Sequence, residues 1–293
     1  MSIKLGIIGG SGLYDFEGLK SHTVIEPKVG PFGKPSGNIV SGIYNDVEIF
    51  FLPRHGNNHV YSPSNVPYRA NIDILKRLGC NDILSISAVG SLKENLYPGK
   101  FVLIDQYIDR TYLRNKTFFD DKIIAHVSMA EPTCKLTSEL VYKSAIQDNL
   151  DIQNGGTYIA IEGPQFSTYS ESQLYRSWNC DVIGMTNMPE ACLAREAEIR
   201  YVPIAMVTDY DCWKEDASNV GVEEIISTLE KNAKKAKSLI KSFVNEFKIN
   251  RPKMIIEGID NVLDNAIITS NYDIRELRNC GLDAIASRII NES

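Results

Sequence analysis

The sequence predicts an α/β fold in which buried β-strands alternate with amphipathic helices around one core. Short apolar runs without internal turn residues lie at 3–8, 82–88 and 202–208, a pattern typical of buried strands. From 222 to 247, apolar residues recur at three- and four-residue spacing, which predicts one long helix that covers the sheet. The sequence contains no repeat, low-complexity stretch or linker-like segment, so we interpret residues 1–293 as a single domain.

The other elements follow from hydrophobic periodicity and from turn residues. Further strands are expected at 38–44, 47–52, 101–105, 157–161 and 181–184. Helices are expected at 64–79, 137–150, 170–178 and 189–198, and in two pieces near the C-terminus, around 254–265 and 273–290. The dipeptide Asn45-Asp46 favours a tight hairpin turn between two of the strands. Small polar turns are expected after two buried strands, at 9–12 and 89–91.

The composition favours a small molecule as the binding partner. The 293 residues are 43% hydrophobic and 23% charged, and 31 Lys and Arg against 37 Asp and Glu give a formal charge of -6. This acidic balance disfavours nucleic acid or an anionic membrane surface. Six cysteines without a C-x-x-C pair predict free thiols in a reducing cytoplasm. No apolar run approaches the roughly 18 residues that a membrane-spanning helix requires.

Small or polar residues follow five of the predicted strands at the point where each strand ends. They are Ser11, Arg54 and His55, Ser87 and Ala88, Met185 and Thr186, and Asp209 and Asp211. Open α/β sheets bind ligands beyond the carboxyl ends of their strands, so we expect these residues to line one site. Hydroxyls, an arginine and backbone amides suit a phosphate, whereas paired carboxylates suit a ring with an amino group and an imidazole nitrogen. The combination predicts a site for phosphate and adenine without a metal.

Several of these signals also have a plainer structural interpretation. The two carboxylates Asp209 and Asp211 also fit a solvated loop, because Asp is a common turn residue. His55 and His59 have the i, i+4 spacing of metal ligands on a helix, but the residues between them form helices poorly and no acid completes a metal site. By default, Phe166 is expected to be a core aromatic. The lysines between 231 and 241 are expected to form the solvated face of the long helix.

Seven short motifs occur in order along the chain. They are Gly9-Gly-Ser-Gly-Leu13, Pro31-Phe-Gly-Lys-Pro-Ser36, Arg54-His-Gly56, Met129-Ala-Glu-Pro132, Glu162-Gly-Pro-Gln-Phe166, Met185-Thr186 with Pro189-Glu190, and Thr208-Asp-Tyr-Asp-Cys-Trp213. At these spacings they resemble the 5'-methylthioadenosine phosphorylase branch of the trimeric purine nucleoside phosphorylases, from about residue 3 to about residue 247. The helical tail at about 251–293 departs from the usual ending of that family, which contributes an apolar residue to the 5' pocket.

The resemblance implies a mixed, strongly twisted β-sheet flanked by helices, as in purine nucleoside phosphorylases, and a homotrimer that catalyses phosphorolysis. Inorganic phosphate, a co-substrate, would attack C1' of S-methyl-5'-thioadenosine and release adenine and 5-methylthioribose 1-phosphate, without a cofactor or a metal. The implied phosphate ligands are Ser11, Arg54, His55, Ser87, Ala88 and Thr186. The implied nucleoside contacts are Phe166, Met185, Asp209, Asp211 and Val222, with His126 reaching the site from a neighbouring subunit.

The sequence also leaves two other functions as alternatives. A phosphorylase of 6-oxopurine nucleosides, such as inosine, guanosine or methylthioinosine, would need a hydrogen-bond donor where Asp209 and Asp211 offer acceptors. A non-catalytic nucleoside-binding protein on the same scaffold would have no use for Arg54. For catalysis, burial and the neighbouring carboxylate are expected to raise the pKa of Asp209, which would then donate a proton toward N7 of the purine.

Overall fold

A computed structural model describes residues 3–10, 13, 18–214 and 222–292, without the side chains of residues 121, 222–226 and 292. The strands are β1 (Ile3–Gly9), β2 (Lys20–Ile25), β3 (Ile39–Tyr44), β4 (Val47–Pro53), β5 (Asp82–Ser91), β6 (Phe101–Leu103), β7 (Gln106–Arg110), β8 (Asp120–Asp121), β9 (Ile123–Ile124), β10 (Ile152–Asn154), β11 (Thr157–Ile161), β12 (Val182–Gly184) and β13 (Arg200–Tyr210). The helices are α1 (Tyr68–Arg77), α2 (Lys135–Gln147), α3 (Tyr169–Ser177), α4 (Asn187–Glu196), α5 (Val222–Asn250), α6 (Ile274–Asn279) and α7 (Ser287–Glu292).

Most strands join one large mixed sheet. Its path runs β10-β6-β13-β5-β1-β4-β3-β2, and β12, β11 and β7 continue it from β5. The four central strands β13, β5, β1 and β4 pair in parallel, whereas β6 pairs antiparallel with β13, and β3 with β4. This arrangement confirms the predicted α/β fold, a mixed sheet flanked by helices.

Both faces of the sheet are covered. Neighbouring residues of the central strands point to opposite faces, as the pleat requires. Ile8 and Ile83 join the apolar cluster that includes α1, α4 and the C-terminal segment, whereas Ile7 and Leu84 join the cluster that includes α2 and α5. Strands buried on both faces have near-continuous apolar sequences, which explains why these strands were predictable.

Two strands continue past their predicted ends. The polar turn expected at 89–91 is wrong, because Gly90 remains in β5 and pairs with Asp209 of β13 and Ile183 of β12. Strand β13 likewise continues to Tyr210, with a shift of register between Val207 and Asp209. Such a bulge bends a strand and redirects a side chain, here at a predicted site residue.

The hairpin between β3 and β4 has the predicted turn. Asn45 and Asp46 have φ of 48° and 60°, the left-handed values of a tight two-residue hairpin turn. Strands β2, β7, β8, β9 and β10 were not predicted. Strand β2 is almost wholly exposed, and the others are short or only partly buried, so they lack the apolar run that marks a buried strand.

The C-terminal segment packs into the same apolar cluster as α1 and α4. Leu277, Leu282 and Ile285 are fully buried there. Arg288 Nη2 lies 2.7 Å from a carboxylate oxygen of Glu198, at the end of α4. The segment therefore covers one face of the sheet and contributes to the core.

The first of the two helical pieces expected in this segment is wrong. Around 254–265 the chain forms turns and only a short 3-10 helix at Val262–Asp264. Gly258, with φ of 72°, interrupts the helical backbone, and Met254 and Ile255 are exposed. No helix within the described ranges is both long and apolar enough to cross a membrane.

We expect Leu282→Ala to lower the free energy of unfolding by about 2–5 kcal/mol, because it removes a fully buried side chain from the core. Urea denaturation followed by circular dichroism measures the change. Met254→Ala is a matched control in the same segment, since Met254 is 72% exposed, and should change stability by no more than about 0.5 kcal/mol. Equal midpoints for Leu282→Ala and the wild type would mean that the segment does not pack on the core in solution.

Candidate active site

A cavity of about 640 Å³ lies beyond the carboxyl ends of the parallel strands β1, β4, β5 and β13. The predicted site residues that line it are Arg54, His55, Ser87, Ala88, Phe166, Met185, Thr186, Asp209 and Asp211. They come from five separate parts of the chain. Arg54, Ser87, Asp209 and their neighbours meet because the central strands are parallel, so their carboxyl-terminal ends lie at the same edge of the sheet. Phe166, Met185 and Thr186 reach the cavity from the turns after β11 and β12.

Three predicted site residues stand apart from this set. Ser11 lies outside the described residues, and Val222 begins α5 but its side chain is also outside them. His126 follows β9, is exposed, and is not among the residues that line the cavity of its own subunit. Helix α5 adds Lys234 and Lys237 to the lining, so two lysines of the expected solvated face border the cavity.

Arg54 follows β4, and its guanidinium is almost fully buried. Nε and Nη2 donate to the Glu190 carboxylate at 2.8 and 3.0 Å. Nη2 also donates to Ser85 Oγ at 2.7 Å, and Nη1 donates to the Ile86 carbonyl oxygen at 2.9 Å. A guanidinium has five N–H groups, so one N–H of Nη1 has no partner among the described residues. Arg54 lines the cavity, and this donor suits an anion bound there.

Glu190, on α4, is the buried counter-charge of Arg54. Burial raises the pKa of its carboxyl group, but the Arg54 charge and the hydrogen bonds that Glu190 accepts lower the pKa overall. One of these bonds comes from Tyr201 at 2.8 Å, and Tyr201 in turn accepts from Asn187 Nδ2 at 2.8 Å. Ser87 Oγ donates to Asn187 Oδ1 at 3.2 Å. One buried network therefore connects Arg54 with Ser87, two of the predicted phosphate ligands.

His55 is held with one ring nitrogen against the backbone. Its Nδ1 lies 2.9 Å from the carbonyl oxygen of Tyr61, which can only accept, so Nδ1 carries the proton of the neutral ring. Burial lowers the pKa of His55, and with the nearby charges of Arg54 and His59 the pKa falls to about 4. The ring is therefore neutral at pH 7, and Nε2 is left as an acceptor.

The spacing of His55 and His59 does not produce a metal site. The two rings stack with centroids 4.1 Å apart and planes at 10°, so their in-plane nitrogen lone pairs cannot converge on one ion. Asn58 and His59 have positive φ, so the pair does not lie on a regular helix. Within the described part of the chain, no group of three or more His, Cys, Asp or Glu residues is placed to hold a metal ion.

Asp209 lies beside the bulge near the end of β13. Burial raises the pKa of its carboxyl group, a hydrogen bond from Thr208 Oγ1 at 2.6 Å opposes the rise, and the charge of Asp211 adds to it. Burial and the second carboxylate thus act as expected from the sequence. A carboxyl group with a raised pKa keeps its proton to higher pH, so Asp209 suits a proton donor.

Asp211 is fixed by a different set of contacts. Both of its carboxylate oxygens lie within hydrogen-bond distance of Ser167 Oγ, at 2.9 and 2.7 Å, and its backbone N–H donates to the Ser91 carbonyl oxygen. Phe166, next to Ser167, is 81% exposed and lines the cavity, so the core-aromatic interpretation is wrong. Phe166 lies on the loop between β11 and α3, and its exposed aromatic ring suits stacking against a planar base.

The loop that leads to Phe166 touches the end of β12. A Cβ added at Gly163 would lie 2.5 Å from Met185 Sδ, so a larger residue at 163 would require the Met185 side chain to move. Gly163 also has φ of 68°, a value that glycine adopts without strain. Met185 itself lines the cavity. Two walls of the cavity are therefore in direct contact.

The sequence did not reveal the buried charges that support these residues. Glu190 and Glu162 were visible only as parts of motifs, where an acid follows or precedes a proline-containing turn. Arg114 and Asn187 were not singled out. Their partners are distant in sequence, as with Arg54 and Glu190, which are 136 residues apart. No local pattern predicts such pairs.

We expect the imidazole of His55 to be neutral above about pH 4 and to carry its proton on Nδ1, because it is buried and Nδ1 faces a carbonyl. Nitrogen-detected NMR of ¹⁵N-histidine-labelled protein over pH 4–8 measures both properties, and His55→Gln assigns the signal. A ring that titrates near its ordinary value of about 6.5, or one protonated on Nε2, would contradict this geometry.

The described geometry can be compared with known proteins. Residues 4–245 match the Phosphorylase superfamily. The S-methyl-5'-thioadenosine phosphorylase of Rhodospirillum rubrum is 50% identical over 290 residues, which is 98% of this chain and 97% of that protein. The enzyme of the same name from Cereibacter sphaeroides is 47% identical over 290 residues, covering 99% of both chains.

Solved structures agree with the sequence matches. A methylthioadenosine phosphorylase from an Antarctic soil metagenomic library superposes with a TM-score of 0.89 at 44% identity, covering 97% of this chain and 99% of that one. A mutant of the adenosine/methylthioadenosine phosphorylase from Schistosoma mansoni, in complex with methylthioadenosine, has a TM-score of 0.78 at 32% identity, covering 97% and 98%. The chain therefore belongs to the phosphorylase superfamily and, within it, to the family of S-methyl-5'-thioadenosine phosphorylases.

Proposed function

We propose that this protein catalyses the phosphorolysis of S-methyl-5'-thioadenosine to adenine and 5-methylthioribose 1-phosphate. One observation carries the proposal: a fixed arginine with a remaining donor, Arg54, and a half-buried carboxyl group with a raised pKa, Asp209, line the same cavity. Relatives named S-methyl-5'-thioadenosine phosphorylase, at up to 50% identity over nearly the whole chain, support it. The protein is thus a pentosyltransferase of the purine nucleoside phosphorylase type.

Phosphate would bind at the end of the cavity that Arg54, His55, Ser87, Ala88 and Thr186 line, together with Ser11. Arg54 offers its remaining N–H, and Nε2 of His55 accepts the proton of a P–O–H group of hydrogen phosphate. The Arg54 guanidinium is held in place by Glu190 before any ligand binds, so little reorganisation is needed. A phosphate oxygen then attacks C1' of the nucleoside.

The base would bind between Phe166, Met185 and the two carboxyl groups, Asp209 and Asp211. As the C1'–N9 bond lengthens, positive charge grows on the ribose and negative charge on the purine. Phosphate beside the sugar stabilises the first charge, and a proton from Asp209 toward N7 neutralises the second. Because the required form of Asp209 is protonated, turnover should fall as pH rises through its raised pKa.

The reaction requires no resident metal or cofactor in this proposal, because phosphate is the nucleophile and side chains supply the proton and the charge stabilisation. Activity should therefore survive dialysis against a chelator.

We also propose a reducing, cytoplasmic location. It is supported by the six cysteines, since none of them forms a disulfide bond in the structure: Cys80, Cys134, Cys180, Cys192, Cys212 and Cys280.

The proposal is tested by incubating the purified protein with S-methyl-5'-thioadenosine, with and without phosphate, and measuring released adenine. We expect adenine only with phosphate. Release without phosphate would indicate a hydrolase, and no release in either case would indicate a nucleoside-binding protein. A higher kcat/KM on methylthioinosine or inosine would instead favour a phosphorylase of 6-oxopurine nucleosides.

Asp209→Asn is expected to lower turnover of S-methyl-5'-thioadenosine by about 10²–10³-fold, because an amide cannot protonate N7. Its NH₂ can donate to a 6-oxo group, so the relative preference for methylthioinosine should rise. Asp46→Asn is the matched control, since Asp46 lies in an exposed hairpin turn that favours Asn, and should leave kcat unchanged. Steady-state kinetics on both nucleosides decide the outcome. An equal loss on both would assign Asp209 a purely structural role.

We expect a homotrimer, with a mass by light scattering close to three times the chain mass of 32.8 kDa. The proposal is supported by the exposed position of His126, outside the cavity of its own subunit, where a neighbouring subunit can reach it. His126→Ala should then raise the KM for S-methyl-5'-thioadenosine without changing the mass. A fully active monomer would contradict both the trimer and the role of His126.

A further inference from the structure

A second buried cation–carboxylate pair lies beside the cavity, separate from Arg54 and Glu190. Arg114 and Glu162 have side-chain exposures of 1% and 7%, and Arg114 Nε donates to Glu162 Oε1 at 3.2 Å. Neither residue lines the cavity. Burying two charges is costly unless other hydrogen bonds satisfy them, so the partners of this pair indicate what it holds in place.

The Arg114 guanidinium bridges two segments of backbone. Nη1 lies 2.6 Å from each of the carbonyl oxygens of Met185 and Met188, and 3.2 Å from the Tyr68 hydroxyl. Nη2 donates to the carbonyl oxygen of Glu162 at 2.8 Å and lies 3.4 Å from that of Ile161. A single planar group thus joins the end of β11 to the turn between β12 and α4.

These two segments carry the walls of the nucleoside site. The first continues through Gly163 to Phe166, and the second contributes the side chain of Met185. Gly163 and Met185 are in contact, and a Cβ at residue 163 would require the Met185 side chain to move. A change in the distance between the two backbones therefore moves Phe166 relative to Met185, on either side of where a base would lie.

The Glu162 carboxylate also has partners other than Arg114. Its Oε2 accepts from the backbone N–H groups of Tyr112 at 2.6 Å and Leu113 at 3.2 Å, and Ser64 Oγ donates to Oε1. Burial raises the pKa of Glu162, but these hydrogen bonds and the Arg114 charge outweigh burial and lower the pKa to about 2. Glu162 is thus a permanent counter-charge that fixes Arg114.

The phosphate end of the cavity also has anchors that do not involve Arg114. Thr186 N–H lies 3.3 Å from the Tyr158 hydroxyl, and Asn187 is held by Tyr201 at 2.8 Å and by Ser85 at 3.3 Å. Ser85 also contacts Arg54 and Glu190. Arg114 holds the carbonyl oxygens of Met185 and Met188 on either side of Thr186 and Asn187, so the turn at 185–188 is common to both ends of the cavity. Arg54 is held by Ser85 and Glu190 without contact to Arg114, so a substitution at Arg114 should affect nucleoside binding more than phosphate binding.

We propose that Arg114, fixed by Glu162, is a positioning residue for the nucleoside half of the site, setting the distance between the loop that carries Phe166 and the turn that carries Met185. This inference rests on the proposed function for the identity of the nucleoside. Arg114 would act without touching the substrate, since it does not line the cavity. Adenine binds to the half of the site that Arg114 positions, and phosphate to the half that Ser85 and Glu190 support.

The experiment compares Arg114→Lys, Glu162→Gln and Ser85→Ala with the wild type, using Arg110→Lys as the matched control. Arg110 is exposed on the same segment, and its guanidinium lies over the Trp178 ring, outside the cavity lining. The measurements are the dissociation constant of adenine by calorimetry, and the KM values for S-methyl-5'-thioadenosine and phosphate. Adenine binding does not require turnover, so this arm tests the inference even if the proposed reaction fails.

We expect Arg114→Lys and Glu162→Gln to weaken adenine binding by about 10-fold, which corresponds to the loss of roughly one well-made hydrogen bond or packing contact. The KM for phosphate should change by a smaller factor, because Arg54 keeps its contacts with Glu190 and Ser85. Ser85→Ala should raise the KM for phosphate more than it weakens adenine binding. Arg110→Lys should change neither adenine binding nor the KM for phosphate. In the double variant Arg114→Lys, Glu162→Gln, the loss of adenine-binding free energy should be smaller than the sum of the two single losses, because the two side chains share one contact.

Two results would overturn the inference. One is an Arg114→Lys protein that is less stable but binds adenine as the wild type does, which would make the residue purely structural. The other is an equal loss of adenine and phosphate affinity. If Arg114→Lys does not fold, Ser64→Ala removes a single hydrogen bond to Glu162 and should weaken adenine binding by a smaller factor. Unchanged adenine affinity in both Ser64→Ala and Glu162→Gln would equally overturn it.

Discussion

The buried ion pair between Arg54 and Glu190 is the interaction on which the rest of the site depends. Their side chains are 3% and 1% exposed, so neither charge is stabilised by water. Removing one partner of such a pair leaves an uncompensated charge and typically costs about 3–5 kcal/mol. The pair also joins the end of β4 to α4, and through Ser85 and Tyr201 it reaches β5 and β13. The parallel strands that frame the cavity are thus tied together at the edge where ligands bind.

Parallel pairing explains why much of this site was predictable from the sequence. The central strands are buried on both faces, so each has an apolar sequence that ends abruptly, and the residues after them must share one edge of the sheet. Arg54, Ser87 and Asp209 were found in this way and do line one cavity. The partial burial of Asp209 followed from its place at the end of an apolar run.

What the sequence could not reveal depends on contacts between distant residues. The pairing of Gly90 with Asp209 extends two strands through residues that resemble a turn, because neighbouring backbone outweighs local propensity. Phe166 is exposed on the loop that follows Glu162, and Arg114, which holds the carbonyl oxygen of Glu162, has no sequence pattern of its own. Strand β2 is exposed and pairs only at the sheet edge, so it lacks the apolar alternation on which prediction depends.

Burial shifts the pKa values of two groups that line the cavity in opposite directions, and both shifts favour the neutral form of the group. It lowers the pKa of His55, so the imidazole loses its positive charge, and it raises the pKa of Asp209, so the carboxyl group retains its proton longer. A neutral imidazole accepts where a cation would donate, and a protonated carboxyl group donates where an anion would accept. In the proposed reaction, the neutral imidazole beside Arg54 would accept from a protonated phosphate oxygen, and the protonated form of Asp209 would donate to a basic ring nitrogen. The charge of Arg54 and the hydrogen-bond direction of the two neutral groups would then together distinguish phosphate from the base.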